Sequence, residues 1–232
     1  MTDRPILIDY FCGAGGIAAG YKRAGFYVIG VDIEPQPRYA GDTFVQADAL
    51  EMMAAHARDG ALFFGPGLTI CTPVVAHASP PCQASSDLRH RTGREYPQHI
   101  PRVRELLKTI GIPYVIENVE GAELIDPVRI CGASIPGLRV IRHRLFESNK
   151  RLVGIDCPDR HPLVFTHDKR KAHYGKLDQD TSFVQVTGGG NATIANKRAA
   201  MGIDWPMTNL EINEAIPPAY GEHVGRQLME AL

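Results

Sequence analysis

The stretch Ile6-Leu7-Ile8-Asp9-Tyr10-Phe11, followed at once by Cys12-Gly13-Ala14-Gly15-Gly16, decides the fold. The first six residues form a short apolar run that is typical of a buried strand, and the glycines allow a sharp turn. A helical pattern then continues to about Ala24, and a second apolar run at 27–31 predicts the next strand. A strand that enters a helix through a glycine-rich turn is typical of a nucleotide-binding α/β unit.

The same alternation of strand and helix continues along the chain. Further strands are predicted at 44–46, 74–78 and 113–116, and helices at 48–58 and 97–111, where apolar residues share one face. This order predicts a mostly parallel sheet with helices on both faces, which is an α/β, Rossmann-like architecture. The segment from about Cys157 to Lys197 has weak periodicity, and we interpret it as loop-rich.

Composition limits the class of protein. The chain has 232 residues, of which 44% are hydrophobic and 22% charged, with a formal net charge of -1. These values indicate a globular domain and exclude disordered, collagen-like and coiled-coil proteins. Five cysteines, an odd number with no CxxC pair, favour a reducing compartment. Since no apolar run suits a signal peptide or a membrane span, we expect a cytoplasmic protein that does not associate with membranes.

The glycine-rich turn is the first candidate binding site. Gly13, Gly15 and Gly16 let the backbone approach a ligand, and the following helix points free N–H groups at it. Asp32, at the end of the second strand, can bond ribose hydroxyls, and Asp48, after the third, can contact an adenine amino group. The turn also fits the pattern G-x-G-x-x-A, so a nicotinamide or flavin site and a turn without a ligand remain alternatives.

A cysteine on a rigid turn is the second candidate site. Pro80-Pro81-Cys82-Gln83 follows the strand at 74–78, at the end of a parallel strand where ligands bind. The prolines restrict the backbone ahead of Cys82, and the nearby cations Arg89 and Arg91 favour a reactive thiolate. The alternative is a buried, unreactive thiol.

A glutamate and two arginines complete the candidate set. Glu117 follows the strand at 113–116, where a carboxyl group with a raised pKa can hold or protonate a ring nitrogen. Arg142 and Arg144 alternate in a predicted strand, so both lie on one face and suit a phosphate or a carbonyl oxygen. The alternatives are a solvated strand end and a solvated edge strand.

Taken in this order, the motifs resemble those of the cytosine carbon-5 methyltransferase family. Residues 9–16 resemble its cofactor motif, Pro81-Cys82-Gln83 its nucleophile loop, Glu117-Asn118-Val119 its ENV motif, and Arg142-x-Arg144 its late arginine pair. The resemblance implies a class I S-adenosylmethionine-dependent methyltransferase fold, with S-adenosyl-L-methionine as cofactor and S-adenosyl-L-homocysteine as product. The chain departs from the family at Val140, where a glutamine is usual, and in its short target-recognition region.

The resemblance also implies a role for each residue. Cys82 is expected to be the nucleophile, and Glu117, Arg142 and Arg144 the other catalytic residues. The expected cofactor-binding residues are Phe11, Gly13, Gly15, Gly16, Asp32, Ile33, Asp48 and Pro80. The expected substrate contacts are Pro81, Gln83, Arg89, Arg91, Asn118, Lys169, Arg170 and Lys171. No metal is expected, because the spacing of a conceivable zinc set, Cys157, His161, His167 and His173, matches no common finger.

The organisation and substrate follow from the same resemblance. We expect a catalytic and cofactor-binding domain at 1–150, a small target-recognition region at 151–200, and a C-terminal segment at 201–232 that returns to the catalytic domain. The expected substrate is double-stranded DNA with a flipped cytosine. A monomer is expected, with an accessory recognition partner as one way to compensate for the short region. RNA or a free cytosine nucleotide, and an idle nucleic-acid-binding protein, are alternatives.

Overall fold

The computed structural model describes residues 3–64, 69–81, 98–187 and 192–232. In chain order, the strands of the described residues are β1 (Ile6–Tyr10), β2 (Tyr27–Asp32), β3 (Thr43–Gln46), β4 (Leu62–Phe64), β5 (Thr69–Cys71), β6 (Val75–Ala78), β7 (Tyr114–Asn118), β8 (Val128–Ile130) and β9 (Arg144–Ser148). The α-helices are α1 (Gly16–Arg23), α2 (Ala49–Asp59), α3 (Ile100–Ile110), α4 (Ile194–Met201), α5 (Asn209–Glu214) and α6 (Pro218–Glu230).

One mostly parallel sheet organises these elements. Its seven strands lie in the order β3-β2-β1-β6-β7-β9-β8, and β4 and β5 form a separate antiparallel pair. Strands β1, β2, β3, β6 and β7 are parallel, whereas β9 is antiparallel to both of its neighbours. The chain first builds outward from β1 to β3 and then returns to place β6 on the other side of β1. The carboxyl ends of β1 and β6 therefore border the switch point at which open α/β sheets bind ligands.

Each face of the sheet carries its own hydrophobic core. On one face Leu7 and Val115 join a core with residues of α1 and α6, and on the other Ile8 and Ile116 join a core with residues of α2 and α3. Helices α1 and α6 approach each other closely at Gly20, where an added Cβ would lie 2.0 Å from the carbonyl oxygen of Pro218. The nearly continuous burial of β1, β2, β6 and β7 and the two helical layers confirm the α/β, Rossmann-like prediction.

The strand predicted around the two arginines starts later than expected. β9 begins at Arg144, so Arg142 lies outside it and the period-two argument does not apply to the pair. The backbone before the strand bonds to helical segments instead: the Tyr220 hydroxyl donates to the carbonyl oxygen of Arg142, and the Arg139 amide donates to that of Ala200. These bonds take up backbone groups that a longer strand would have needed for its ladder.

The segment after β9 is largely irregular. Between 151 and 187, the structure assigns no helix or strand and only the isolated bridges Ile130↔Ile155 and Val164↔Phe183. Helix α4 crosses the predicted boundary at 200, and the division of the chain into three parts remains a prediction. Among the described residues, no helix is both long enough and apolar enough to cross a membrane.

Candidate active site

The polar residues singled out in the sequence gather at the carboxyl-terminal edge of the sheet. Gly13 follows β1, Asp32 ends β2, Pro80 follows β6, and Glu117 is the last residue but one of β7. Because β9 runs antiparallel to β7, its first residue, Arg144, lies at the same edge. The sheet therefore brings together residues from three strands and from the two turns that follow β1 and β6.

The turn after β1 has the shape of a ligand cradle. Gly13 and Gly15 have φ angles of 49° and 81°, which favour glycine, and a Cβ on Gly15 would lie 2.7 Å from the amide nitrogen of Ala40. A Cβ on Gly13 would meet no atom within 4 Å, so this part of the turn borders open space. Helix α1 begins at Gly16 without a side-chain cap, which leaves its first N–H groups able to bind a ligand.

Asp32 and Ile33 border the same turn. The Asp32 carboxylate accepts hydrogen bonds from the amides of Gly13 (2.9 Å) and Glu34 (3.0 Å), which fixes the acid against the glycine turn. Ile33 is 61% exposed beside it. Phe11 has a φ angle of 59°, an unusual value for a bulky residue, at the entry to the turn. An acid beside an exposed apolar side chain suits a ligand with a ribose and a planar ring.

Asp48 has a structural role that the sequence analysis did not assign to it. It is the N-cap residue of α2, and its Oδ1 accepts the amide hydrogens of Leu50 (2.8 Å) and Glu51 (3.1 Å). This capping satisfies donors at the helix start. The predicted contact with adenine would therefore have to be made by the other carboxylate oxygen.

Glu117 combines burial with an incompletely satisfied carboxyl group. It is 4% exposed, and its Oε1 lies 2.9 Å from Nε of Arg144 but forms no directed hydrogen bond there. Burial raises the pKa of Glu117, and the nearby Arg144 and Ser79 side chains only partly oppose that increase. A carboxyl group that holds a proton more readily than usual can donate a hydrogen bond to a ring nitrogen.

Asn118 fixes the turn that leads toward the predicted nucleophile. Its side-chain amide donates a 2.9 Å hydrogen bond to the carbonyl oxygen of Pro80, and its Oδ1 accepts the amide hydrogen of Val119. Asn118 is 2% exposed, so the bond is shielded from water. The end of β7 and the end of β6 are thereby joined through one side chain.

The two arginines differ in their surroundings. Arg142 donates hydrogen bonds to the carbonyl oxygens of Val186 (3.0 Å) and Asn213 (2.7 Å), so it ties two distant segments together. Arg144 faces Glu117 instead. Of the pair, Arg144 has the position expected of a residue that acts on a ligand, and Arg142 that of a residue that holds the surrounding backbone.

Several predicted residues lie elsewhere. Cys82, Gln83, Arg89 and Arg91 lie outside the described residues, and their roles remain predictions. Pro80 is buried, and Pro81, the last described residue before Cys82, is exposed. Lys169, Arg170 and Lys171 are exposed on a turn, where Arg170 makes two 2.9 Å bonds to the carboxylate of Asp168. That pairing offsets part of the positive charge proposed to attract phosphates.

A buried polar chain, which the sequence did not predict, lies beneath the site. The Tyr21 hydroxyl and Nδ1 of His77 are 2.8 Å apart, as are Nε2 of His77 and the Ser79 hydroxyl. Burial lowers the pKa of His77 to about 3, so the ring is neutral at pH 7. Asp9 lies on the same face, is 0% exposed, and has no hydrogen-bond partner for either carboxylate oxygen. Burial, helped by the charges of Asp32 and Glu117, raises the pKa of Asp9 well above its ordinary value.

A sequence signal for this chain did exist. Asp9 interrupts an apolar strand in ILIDYF, and His77 does the same in VVAHA. The two residues are paired across β1 and β6, so their side chains share a face. A polar residue within each of two neighbouring buried strands indicates a paired polar feature inside the core.

The conceivable zinc set of the sequence analysis does not come together. The rings of His167 and Phe165 are 5.0 Å apart, and Nε2 of His173 is bonded to the carbonyl oxygen of Val164. Only Cys157 and His161 of that set lie close to each other, and their neighbours are Cys131 and His143. The grouping of Cys157 and His161 with Cys131 and His143 was not considered when no metal was expected from the sequence.

Comparison with known proteins reveals similarity at the level of the fold. No model of a known protein family matches the chain, and no curated protein matches it. A solved structure described as a DNA modification methyltransferase, encoded within an E. coli prophage, aligns with a TM-score of 0.62 and 16% identity, over 97% of this chain and 99% of that one.

Two eukaryotic structures agree with this result. S. pombe Dnmt2 methyltransferase aligns with a TM-score of 0.59 and 12% identity, over 99% of both chains. The Entamoeba histolytica methyltransferase EhMeth aligns with a TM-score of 0.57 and 13% identity, again over 99% of both. Since identities this low bear on architecture alone, the conclusion concerns the fold: this chain has the Rossmann-like α/β fold of these methyltransferases.

Proposed function

We propose that the chain is an S-adenosylmethionine-dependent methyltransferase that modifies carbon 5 of cytosine in DNA. The observation that supports this most strongly is Glu117, which is buried, faces Arg144, and keeps one carboxylate oxygen without a directed hydrogen bond. Its neighbour Asn118 holds the turn that precedes Cys82 in the sequence. A carboxyl group and a thiol approaching one ring are what addition chemistry on a pyrimidine requires.

The residues at the glycine turn fit the proposed cofactor. The open space at Gly13, the uncapped start of α1 and the fixed carboxylate of Asp32 would hold an adenosine and an amino acid moiety. The exposed side chain of Ile33 would contact the adenine ring. When bound, S-adenosylmethionine supplies an electrophilic methyl group on a sulfonium.

In the proposed reaction, Cys82 and Glu117 act on the cytosine together. The Cys82 thiolate forms a bond to carbon 6, and the electron pair of the ring double bond moves toward carbon 5. Glu117 donates a hydrogen bond or a proton to nitrogen 3, which stabilises the adduct. Its raised pKa supports this role, because the carboxyl group then keeps a proton at higher pH than usual. Carbon 5 thereby becomes nucleophilic.

The remaining steps restore the ring. After carbon 5 has been methylated, its proton leaves to a base, the ring double bond re-forms, and the bond from carbon 6 to sulfur breaks. The thiolate of Cys82 is thus regenerated, Glu117 takes back any proton that it gave to nitrogen 3, and the methyl donor would leave as S-adenosylhomocysteine. Arg144 would keep Glu117 in place and contact the cytosine carbonyl oxygen, whereas Arg142 supports the surrounding backbone.

DNA is the proposed substrate. A solved structure with this fold is described as a DNA modification methyltransferase, and the exposed side chains of Lys150 and Arg151 offer charge for phosphate contacts. A base inside a duplex must be flipped out before a thiol can reach carbon 6. We propose that a monomer of this chain alone does this, and that an accessory partner adds only sequence-recognition contacts that the short segment at 151–200 lacks.

The proposal is tested by following labelled methyl groups. Purified chain and labelled S-adenosylmethionine are incubated with duplex DNA, transfer RNA or dCMP, and the product nucleosides are separated. We expect 5-methylcytosine from duplex DNA only. Label in RNA or dCMP would overturn the substrate, and label on adenine or on no nucleoside would overturn the reaction. Duplex DNA containing 5-fluorocytosine should form a denaturation-resistant adduct, since fluorine cannot leave as the proton does.

A further inference from the structure

Four side chains with metal-binding atoms converge outside the candidate active site. One ligand atom from each of Cys131, His143, Cys157 and His161 lies within 4.8 Å of all the others. Nε2 of His143 is 3.3 Å from Nε2 of His161 and 3.3 Å from Sγ of Cys157. Sγ of Cys131 is 3.5 Å from Nε2 of His161. We call these four residues the Cys2His2 cluster.

Three of the six ligand-atom distances within the Cys2His2 cluster match the edges of a metal-centred tetrahedron, and the other three are at most 4.8 Å. With bonds of about 2.0 Å to nitrogen and about 2.3 Å to sulfur, tetrahedral zinc separates its ligand atoms by about 3.3 to 3.8 Å. The three separations quoted above fall in or at the edge of that range. Two thiols and two imidazoles in this geometry are the donor set that zinc prefers.

The backbone holds the ligands together before any metal is considered. Cys131 follows β8 directly, and its amide donates to the carbonyl oxygen of Ile155 (2.9 Å). The Ile155 amide in turn donates to the carbonyl oxygen of Arg129 (2.8 Å), which fixes the segment carrying Cys157 beside β8. His143 directly precedes β9. Three separate stretches of chain thus meet at one point through ordinary backbone bonds.

The surroundings of the Cys2His2 cluster also suit a metal. Nδ1 of His143 lies 2.9 Å from Oε2 of Glu120, so the ring can donate a proton to that carboxylate and direct Nε2 at the cluster. A carboxylate behind a ligating histidine is the usual partner in zinc sites.

We propose that Cys131, His143, Cys157 and His161 bind one Zn²⁺ ion in a structural site. Four protein ligands fill a tetrahedral shell and leave no position for water or substrate, so the ion supports the fold and does not act on the substrate. The segment at 151–187 has little regular structure, and the ion would fasten its first part to the sheet. His143 lies between Arg142 and Arg144 in the chain, so the ion would also restrain the backbone that leads into β9.

Zinc binding at the Cys2His2 cluster does not depend on the proposed methyl transfer. The ion would bind whether the chain methylates DNA, RNA or nothing, so metal content and metal spectra test it without any activity measurement.

The first experiment measures metal content. The full chain is expressed with zinc supplied, freed of any affinity tag, and analysed by elemental mass spectrometry. We expect about one zinc per chain. Cys157→Ser and His161→Ala should lose most of it, while the matched variants Cys71→Ser and His167→Ala, which change residues outside the Cys2His2 cluster, should keep it. Full zinc in Cys157→Ser, or less than about a tenth of an equivalent in the wild-type chain, would overturn the proposal.

The second experiment does not depend on whether the variants fold. Cobalt(II) is exchanged into the wild-type chain, and its absorption is recorded. Tetrahedral cobalt with two thiolates should give strong visible bands and sulfur-to-metal charge-transfer bands in the near ultraviolet. Weak octahedral bands would overturn the proposal. So would an intact mass 2 Da below that of the reduced chain without metal, if peptide mapping assigns the disulfide to Cys131 and Cys157.

Discussion

The side-chain amide of Asn118 donates a 2.9 Å hydrogen bond to the carbonyl oxygen of Pro80. This buried contact joins the end of β7, which carries Glu117, to the turn after β6, which continues to Cys82 in the sequence. In the proposed reaction the glutamate and the thiol must meet one ring, so the contact would set how well they are aligned. Its removal offers a test of positioning that leaves both reacting groups intact.

Asn118→Ala should lower kcat by about 10- to 100-fold while the Kd for S-adenosylmethionine stays nearly constant. The lost hydrogen bond should reduce the free energy of unfolding by about 1 kcal/mol. Asn149→Ala is a matched control, because Asn149 also bonds to backbone groups, at Tyr114 and Ile112, away from the site. If both variants lose activity equally, Asn118 is only a structural residue.

Cys82→Ala should reduce methyl transfer by at least about 1,000-fold, because it removes the nucleophile that forms the adduct. Binding of S-adenosylmethionine, measured by calorimetry, should be unchanged. Cys71→Ala, at the end of β5, is the control and should retain the wild-type rate. Turnover by Cys82→Ala at a rate near that of the wild type would exclude the covalent route.

Asp32→Ala should weaken S-adenosylmethionine binding by about 10- to 100-fold, because a carboxylate would no longer meet the ribose hydroxyls or hold the Gly13 amide. Titration calorimetry measures the change directly.

Asp48→Ala separates the capping role of Asp48 from its predicted contact with adenine. Loss of the α2 cap should lower the free energy of unfolding by about 1 kcal/mol. An unchanged cofactor Kd in that variant would remove Asp48 from the binding site.

Substitution of the two arginines should have different effects. Arg142→Ala should lower the free energy of unfolding by about 1 to 3 kcal/mol, because two backbone carbonyls lose a charged donor.

Arg144→Ala should lower kcat and shift the alkaline limb of the pH profile of kcat to higher pH, since the pKa of Glu117 rises further without the guanidinium. Identical pH profiles for wild type and Arg144→Ala would contradict the proposed pairing with Glu117.

Asp9→Asn should gain stability relative to the wild type as pH rises. Burial raises the pKa of Asp9, so the folded chain keeps a proton there that the unfolded chain releases above about pH 4. The contribution of this proton to the free energy of unfolding is fully present below the pKa of Asp9 in the unfolded chain. It is lost as the pH rises through the pKa of Asp9 in the folded chain. Urea unfolding between pH 5 and 8 should show a difference that widens by at most about 1.4 kcal/mol per pH unit. A constant difference would contradict a raised pKa.

Local patterns were enough to predict the architecture. The apolar runs of β1, β2, β6 and β7 and the glycine turn after β1 specify a parallel sheet through period and turn chemistry, which depend on neighbours in the chain. The same patterns placed Gly13, Asp32 and Glu117 at strand ends, and parallel strands bring such ends to one edge. These predictions needed no knowledge of long-range contacts.

Other features depended on residues that lie far apart in the chain. Arg142 and Arg144 look alike in the sequence, yet one contacts Val186 and Asn213 and the other Glu117. The residues of the Cys2His2 cluster lie on both sides of β9 in the chain, so no fixed spacing identifies the cluster. The zinc set considered from the sequence contained Cys157 and His161 but combined them with His167 and His173, which lie elsewhere.

What the sequence determined by itself was the fold class and the edge of the sheet at which polar groups collect, because strand period, helix period and glycine turns act over a few residues. Only the tertiary structure decided which of those groups face one another, which are buried and therefore titrate abnormally, and where two thiols and two imidazoles meet. Burial and partner choice arise from packing between distant segments, and distances of that kind are set when the sheet closes rather than by any local pattern.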